Sequence, residues 1–158
     1  MTRLVVIAFT LAMSVATVQA QEIAVTMNKL DHNGIGDAIG VIVIQQSPQG
    51  LVLEPYIRGL HAGNYKFAIH ENVGCTAGFH ADGRIIPGAG AGKMLRTLPV
   101  LFVNDMGEAN EPIILADTNI DTLRGRTLVV YDTDQTTRIA CGSLEDYMRK
   151  DNPSIFLR

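Results

Sequence analysis

The sequence predicts an all-β fold, an antiparallel sandwich or barrel of about eight short strands. Three observations carry this. Short runs of alternating character recur along the chain, as in Glu22–Leu30, where Ile23, Val25 and Met27 alternate with polar or small residues. Turn signals rich in Gly, Asn, Asp and Pro separate these runs at short, regular intervals. The 158 residues suit one domain, and they contain no repeat, low-complexity segment or internal boundary.

Residues 1–20 are expected to be an export signal. Met1-Thr2-Arg3 is a short positive start, Leu4–Met13 is apolar apart from Thr10, and Val18-Gln19-Ala20 is a small-residue cleavage site. The stretch is too short and wrongly flanked for a membrane span. The mature chain is expected to begin at Gln21 and to be periplasmic or secreted. Two cysteines in an exported protein imply one disulfide, Cys75–Cys141. A metal-binding cysteine pair is the poorer reading, because the spacing matches no zinc motif.

The first strand, Glu22–Leu30, ends at the turn Asp31-His32-Asn33-Gly34. Asp37–Gln46 is the second, and Ser47–Gly50 turns it into Leu51–Ile57, where Glu54-Pro55 marks an edge or a bulge. Tyr65–His70 is the fourth. Glycine-rich Glu71–Gly92 has no strong period and reads as an ordered loop. Leu98–Val103 is a strand followed by the turn Asn104-Asp105-Met106-Gly107. Ala109–Leu115 is the sixth strand, Asp117–Leu123 holds a short helical turn, Thr127–Tyr131 is the seventh strand and Thr136–Ser143 the last. Residues 21–144 form the domain. Residues 145–158 are a mostly polar tail ending Ile155-Phe156-Leu157-Arg158, read as disordered or as a segment that docks on a partner.

The chemistry concentrates in Gly59–His80, which holds His61, His70, His80 and Cys75. Period-two spacing puts Tyr65, Phe67 and Ile69 on one face, expected to be buried, and Lys66, Ala68 and His70 on the other. A metal site on a strand needs its second ligand two residues from the first, and Ala68 cannot coordinate. Elsewhere, His32 and His61 read as surface residues without partners at motif spacing. Gly88–Lys93 is followed by Met94 and lacks the form of a phosphate loop. Ser143 and the other serines sit in no nucleophile elbow.

This stretch resembles the metal-binding segment of the copper–zinc superoxide dismutases, GL-x-P-G-x-H-G-F-H-x-H followed by a cysteine and G-x-H. Gly59-Leu60, Gly63, Phe67, His70, Cys75 and Gly78-Phe79-His80 match it. Gly125-Arg126-Thr127-Leu128-Val129-Val130 is similar to the family's GRTLVVH, and Arg138-Ile139-Ala140-Cys141-Gly142 to its R-x-A-C-G ending. Leu98–Val103 is similar to the bacterial branch's L-P-x-L-x-V. The similarity runs from about Ile23 to Leu144. It implies a Greek-key barrel with two metals bridged by a histidine.

The resemblance also implies which ligands are missing. His70 falls at the second copper ligand and His80 at the bridging one, whereas Ala68 falls at the first and Tyr131 at the last. A phenol has a pKa of about 10 and is a poor ligand by default. Met94 and Thr97 fall at a zinc histidine and the zinc aspartate, and Asp82 is the one carboxylate between His80 and Gly92. The expectation is that no family-type zinc site exists. His70 and His80 are read either as a residual copper pair or as hydrogen-bonded residues on a polar rim. Arg138 matches the arginine that guides the anionic substrate, its bland alternative being a surface residue of the last strand. The six residues between Tyr131 and Arg138 imply a shortened electrostatic loop.

The expected function is therefore that of an exported, degenerate relative that has lost metal-dependent dismutation and acts by binding, without cofactor. The alternative is a residual copper protein, weakly redox-active or carrying copper. The partner expected is a protein or small ligand, with the Lys66–His70 face or the tail as the contact, and a homodimer is an option in this fold. The net charge of −3 argues against nucleic acid and anionic membrane surfaces.

Overall fold

The computed structural model describes residues 22–32 and 34–144. The expected export signal and the C-terminal tail lie outside the described residues. Strand β1 (Glu22–Asp31) pairs antiparallel with β2 (Gly34–Ser47), and β2 pairs with β3 (Gly50–Arg58). Both turns fall where the sequence places them, between Asp31 and Gly34 and between Ser47 and Gly50. Met27 pairs with Gly40 where the β1–β2 register begins to slip. Only glycine fits at position 40, where φ is +146° and a Cβ would lie 2.0 Å from the Tyr56 carbonyl oxygen.

The expected strand Tyr65–His70 is interrupted at Lys66. Its first part belongs to β4 (Gly63–Tyr65) and its second is β5 (Phe67–His70). The loop that follows holds a two-residue hairpin, β6 (Gly78–Phe79) with β7 (Ile85–Ile86), and a 3-10 turn at Ala89–Ala91. Strand β8 (Met94–Thr97), which the sequence did not suggest, pairs with β5. The expected Leu98–Val103 contracts to β9 (Leu101–Val103), paired with β4.

Ala109–Leu115 becomes two strands, β10 (Glu108–Ala109) and β11 (Ile113–Ala116), separated at Pro112. Both pair with β3, and Pro55 falls between the two paired stretches, where its missing N–H breaks no bond to either. A 3-10 turn at Ile120–Leu123 is capped by the Asn119 side chain. Strand β12 (Thr127–Tyr131) has the expected bounds, and β13 (Arg138–Ser143) starts two residues later than expected.

The main sheet curls in the order β10-β3-β2-β1-β13-β12-β5-β8, with β11 beside β10 on β3. The pairings of β1 with β13 and of β5 with β12 join strands distant in sequence, as Greek-key connections do. One large core fills the interior, with Met27, Ile42, Leu53, Phe67, Leu128 and Val130 fully buried. A second, smaller cluster lies outside the sheet, beneath the 71–92 loop. It contains Leu30, Ala68, Cys75, Ala91, Val129, Tyr131 and Cys141. This second cluster positions the site.

Candidate functional site

Strand alternation sends Phe67 and Ile69 of β5 inward and turns Ala68 and His70 outward, and it does the same for Leu128 and Val130 against Thr127, Val129 and Tyr131 of β12. The outward residues are not on a rim. Ala68, His70, Thr127 and Val129 are fully buried. The loop covers them and is fastened at several points. Cys75 is disulfide-bonded to Cys141, with Cα atoms 5.9 Å apart. The Thr127 hydroxyl donates to Asn72 O (2.7 Å) and accepts from Gly74 N (3.1 Å), and Arg126 Nη1 donates to Glu71 O (2.6 Å).

The expectation of a polar-rim His70 is therefore corrected by its burial. Its Nδ1 lies 2.9 Å from Gly92 O and its Nε2 lies 2.9 Å from the Tyr131 hydroxyl. Burial pushes the imidazole pKa below its ordinary value, and the Arg138 and Lys66 charges add to this against the opposing Gly92 hydrogen bond and Glu71 charge. A carbonyl can only accept, so the neutral ring carries its proton on Nδ1. Nε2 is then an acceptor, and Tyr131 donates to it.

Arg138 donates through Nη1 to Gly88 O and through Nη2 to the same Gly92 O, the latter at 2.9 Å. One carbonyl thus joins His70 to Arg138. Gly92 supplies it from a positive-φ conformation, φ +74°, in which a Cβ would lie 2.5 Å from Asn72 Nδ2. Lys66 Nζ stands 4.7 Å from the Tyr131 ring centroid.

His80 is exposed, and no side-chain hydrogen bond or ion pair involves it among the described residues; its backbone N–H donates to Arg84 O. It lines the same solvent-facing cleft as Tyr131 and Arg138. The six-residue segment after Tyr131 is a tight turn. Asp134 accepts from the Thr136 and Thr137 backbone N–H groups and from the Thr137 hydroxyl, and these bonds, the hydroxyl first, hold its carboxyl far below the usual range.

Met94 and Thr97 are exposed on β8, paired with His70 and Ala68. Sequence reasoning missed the Gly92 carbonyl, a backbone atom without a side-chain signature. It also missed the Lys66–Tyr131 contact, for which the shared outward face of Lys66, Ala68 and His70 was the available signal.

No family model matches the chain. Among curated proteins, a copper–zinc superoxide dismutase of Pasteurella multocida is 32% identical over 127 residues, covering 68% of each chain. The chain belongs to the copper–zinc superoxide dismutase family. The Escherichia coli K12 dismutase is 31% identical over 140 residues, 77% of this chain and 80% of its own. Among solved structures, the Brucella abortus copper–zinc dismutase superposes with a TM-score of 0.70 at 25% identity, over 79% of this chain and all of the other. A dismutase-like protein from Bacillus subtilis shares the fold, with a TM-score of 0.55 at 19% identity over 77% of this chain.

The donors present do not fit the dismutases' metals. Among the described residues, no group of three or more His, Cys, Asp or Glu side chains could hold a metal ion. His70 has both ring nitrogens engaged, one with a backbone carbonyl and one with the Tyr131 hydroxyl. Ala68 beside it is packed in an apolar cluster with Leu30 and Val129. Copper at His70 Nε2 would have to displace a buried hydrogen bond and would find no second imidazole on that strand.

Proposed function

We propose that this family member is an exported protein that does not dismutate superoxide and acts instead by binding, without a metal. The observation that carries this reading is the closed state of His70. Its one lone pair suited to a metal accepts the Tyr131 hydroxyl, and the neighbouring ligand position is a buried alanine. The Arg138 guanidinium serves the loop by donating to Gly88 O and Gly92 O. The disulfide and the leader-like residues 1–20 support an oxidising compartment, the periplasm or the exterior.

The test is superoxide consumption by protein loaded with Cu(II) and then dialysed. The reading expects a rate equal to that of the dialysis buffer. A rate that scales with protein and is abolished by a chelator would overturn it in favour of a residual copper site.

A further inference from the structure

The cleft beside Tyr131 has a volume of about 420 Å³, within the usual range for small-molecule sites. Its lining divides into two kinds of surface. One wall is Ile85 and Ile86 of β7 with Pro87. These residues are half-buried and belong to neither core cluster, so part of their apolar area stays open to the cleft. Arg138, His80, Thr136, Thr137 and the largely buried Tyr131 make up the rest of the lining.

Arg138 forms no ion pair among the described residues. Two of its five N–H groups are taken by Gly88 O and Gly92 O, which fix the fork and leave three. Lys66, also without a carboxylate partner among the described residues, adds positive charge across the Tyr131 ring. Asp134 of the adjoining turn accepts from Thr136 and Thr137, which line the cleft, and stays negatively charged there. Asp132 accepts from Thr133, and the anion-attracting charge is that of Arg138 and Lys66.

A bare inorganic anion would satisfy the guanidinium and leave the isoleucine wall in water. A neutral apolar molecule would cover the wall and cost the guanidinium its hydration. From this pairing we propose that the cleft binds a small organic carboxylate with a compact apolar body, its carboxylate on Arg138 and its body against Ile85, Ile86 and Pro87. The proposal rests on the non-catalytic reading above, and it names the ligand class for that binding role.

The experiment titrates the protein with benzoate, benzamide and inorganic phosphate, followed by heteronuclear NMR and calorimetry. Benzoate should bind saturably and shift the Ile85, Ile86 and Arg138 Nε–H signals. Benzamide and phosphate should each bind about tenfold more weakly or worse, since each loses one of the two contacts. Ile86→Asp places a carboxylate on the wall. It should abolish the benzoate response while leaving the melting curve and disulfide intact, which separates lost binding from lost folding.

Equal binding of phosphate and benzoate would overturn the proposed ligand class. No response to benzoate, or a response undiminished in Ile86→Asp, would overturn the site. Copper retention by the parent would count against the functional reading and leave the benzoate result standing, so the two failures are distinguishable.

Discussion

The Tyr131 hydroxyl lies 2.9 Å from His70 Nε2 and donates to it, because Nδ1 is committed to Gly92 O on the other side of the ring. A donor on β12 thereby occupies the atom of β5 that a metal would use. Tyr131→Phe leaves that acceptor buried without a partner. The expected cost is about 1–3 kcal/mol of folding free energy. Urea denaturation at neutral pH measures it, and an unchanged midpoint would show that the bond contributes nothing.

The same geometry fixes the tautomer. Nitrogen-15 shifts of the His70 ring at neutral pH should report a protonated Nδ1 and a bare Nε2. In Tyr131→Phe the ring should keep that tautomer, since Gly92 O still holds the proton. The reverse tautomer in the parent would contradict the assignment of donor and acceptor.

Stability should depend on pH through this residue. Burial, with the Arg138 and Lys66 charges, lowers the folded pKa of His70 below its ordinary value of about 6.5. Below that ordinary value the unfolded chain takes up a proton that the folded chain refuses. The contribution is therefore fully present above the unfolded pKa and is lost as pH falls through the window towards the folded one. The melting temperature should drop across that window, and the drop should be shallower in His70→Asn, which keeps a donor towards Gly92 O. Identical slopes would mean that another group governs the acid limb.

The disulfide fastens the loop that covers the site. Cys75 and Cys141 are separated by 66 residues, and a closed loop of that length is worth about 4 kcal/mol in the chain-entropy model. Cys141→Ser should lower the melting temperature under non-reducing conditions. Amide exchange in residues 71–92 should rise more than in β1 or β2. Thermal midpoints that coincide would show that the hydrogen bonds of Arg126, Thr127 and Arg138 suffice to hold the loop.

Much of the fold was legible because period-two alternation survives wherever one face is buried. Thr127–Tyr131 keeps its bounds as β12, and the turns at Asp31–Gly34 and Ser47–Gly50 carry their own chemistry. Strand β8 was not legible, because all four of its residues are exposed and no alternation marks them. It exists through backbone pairing to β5. The replaced ligand positions are what the resemblance implies from residue identity. The burial of His70 was not legible, because it depends on the loop that follows it, residues 71–92, folding back over the outer face of the sheet. The Gly92 carbonyl has no sequence signature beyond a glycine.

Rebuilding the site tests the correspondence of positions. Ala68 and His70 share the outward face of β5, and Tyr131 reaches the same space from β12. Ala68→His alone must fit an imidazole into a closed apolar cluster and should cost stability, in the order of 1–3 kcal/mol for overpacking. Combining it with Tyr131→His replaces the larger phenol, frees His70 Nε2 and offers three imidazoles. The double variant should bind Cu(II) far more tightly than either single variant. Equal affinity in all of them would mean that these side chains do not converge.

The most direct measurement is the copper content of the unaltered protein after Cu(II) loading and exhaustive dialysis, read by elemental analysis. A closed His70 predicts copper well below one equivalent per chain, at the level of a protein without a site. One equivalent retained, with the His70 ring signals broadened by the bound ion, would contradict the claim that Tyr131 and Ala68 have closed the metal position.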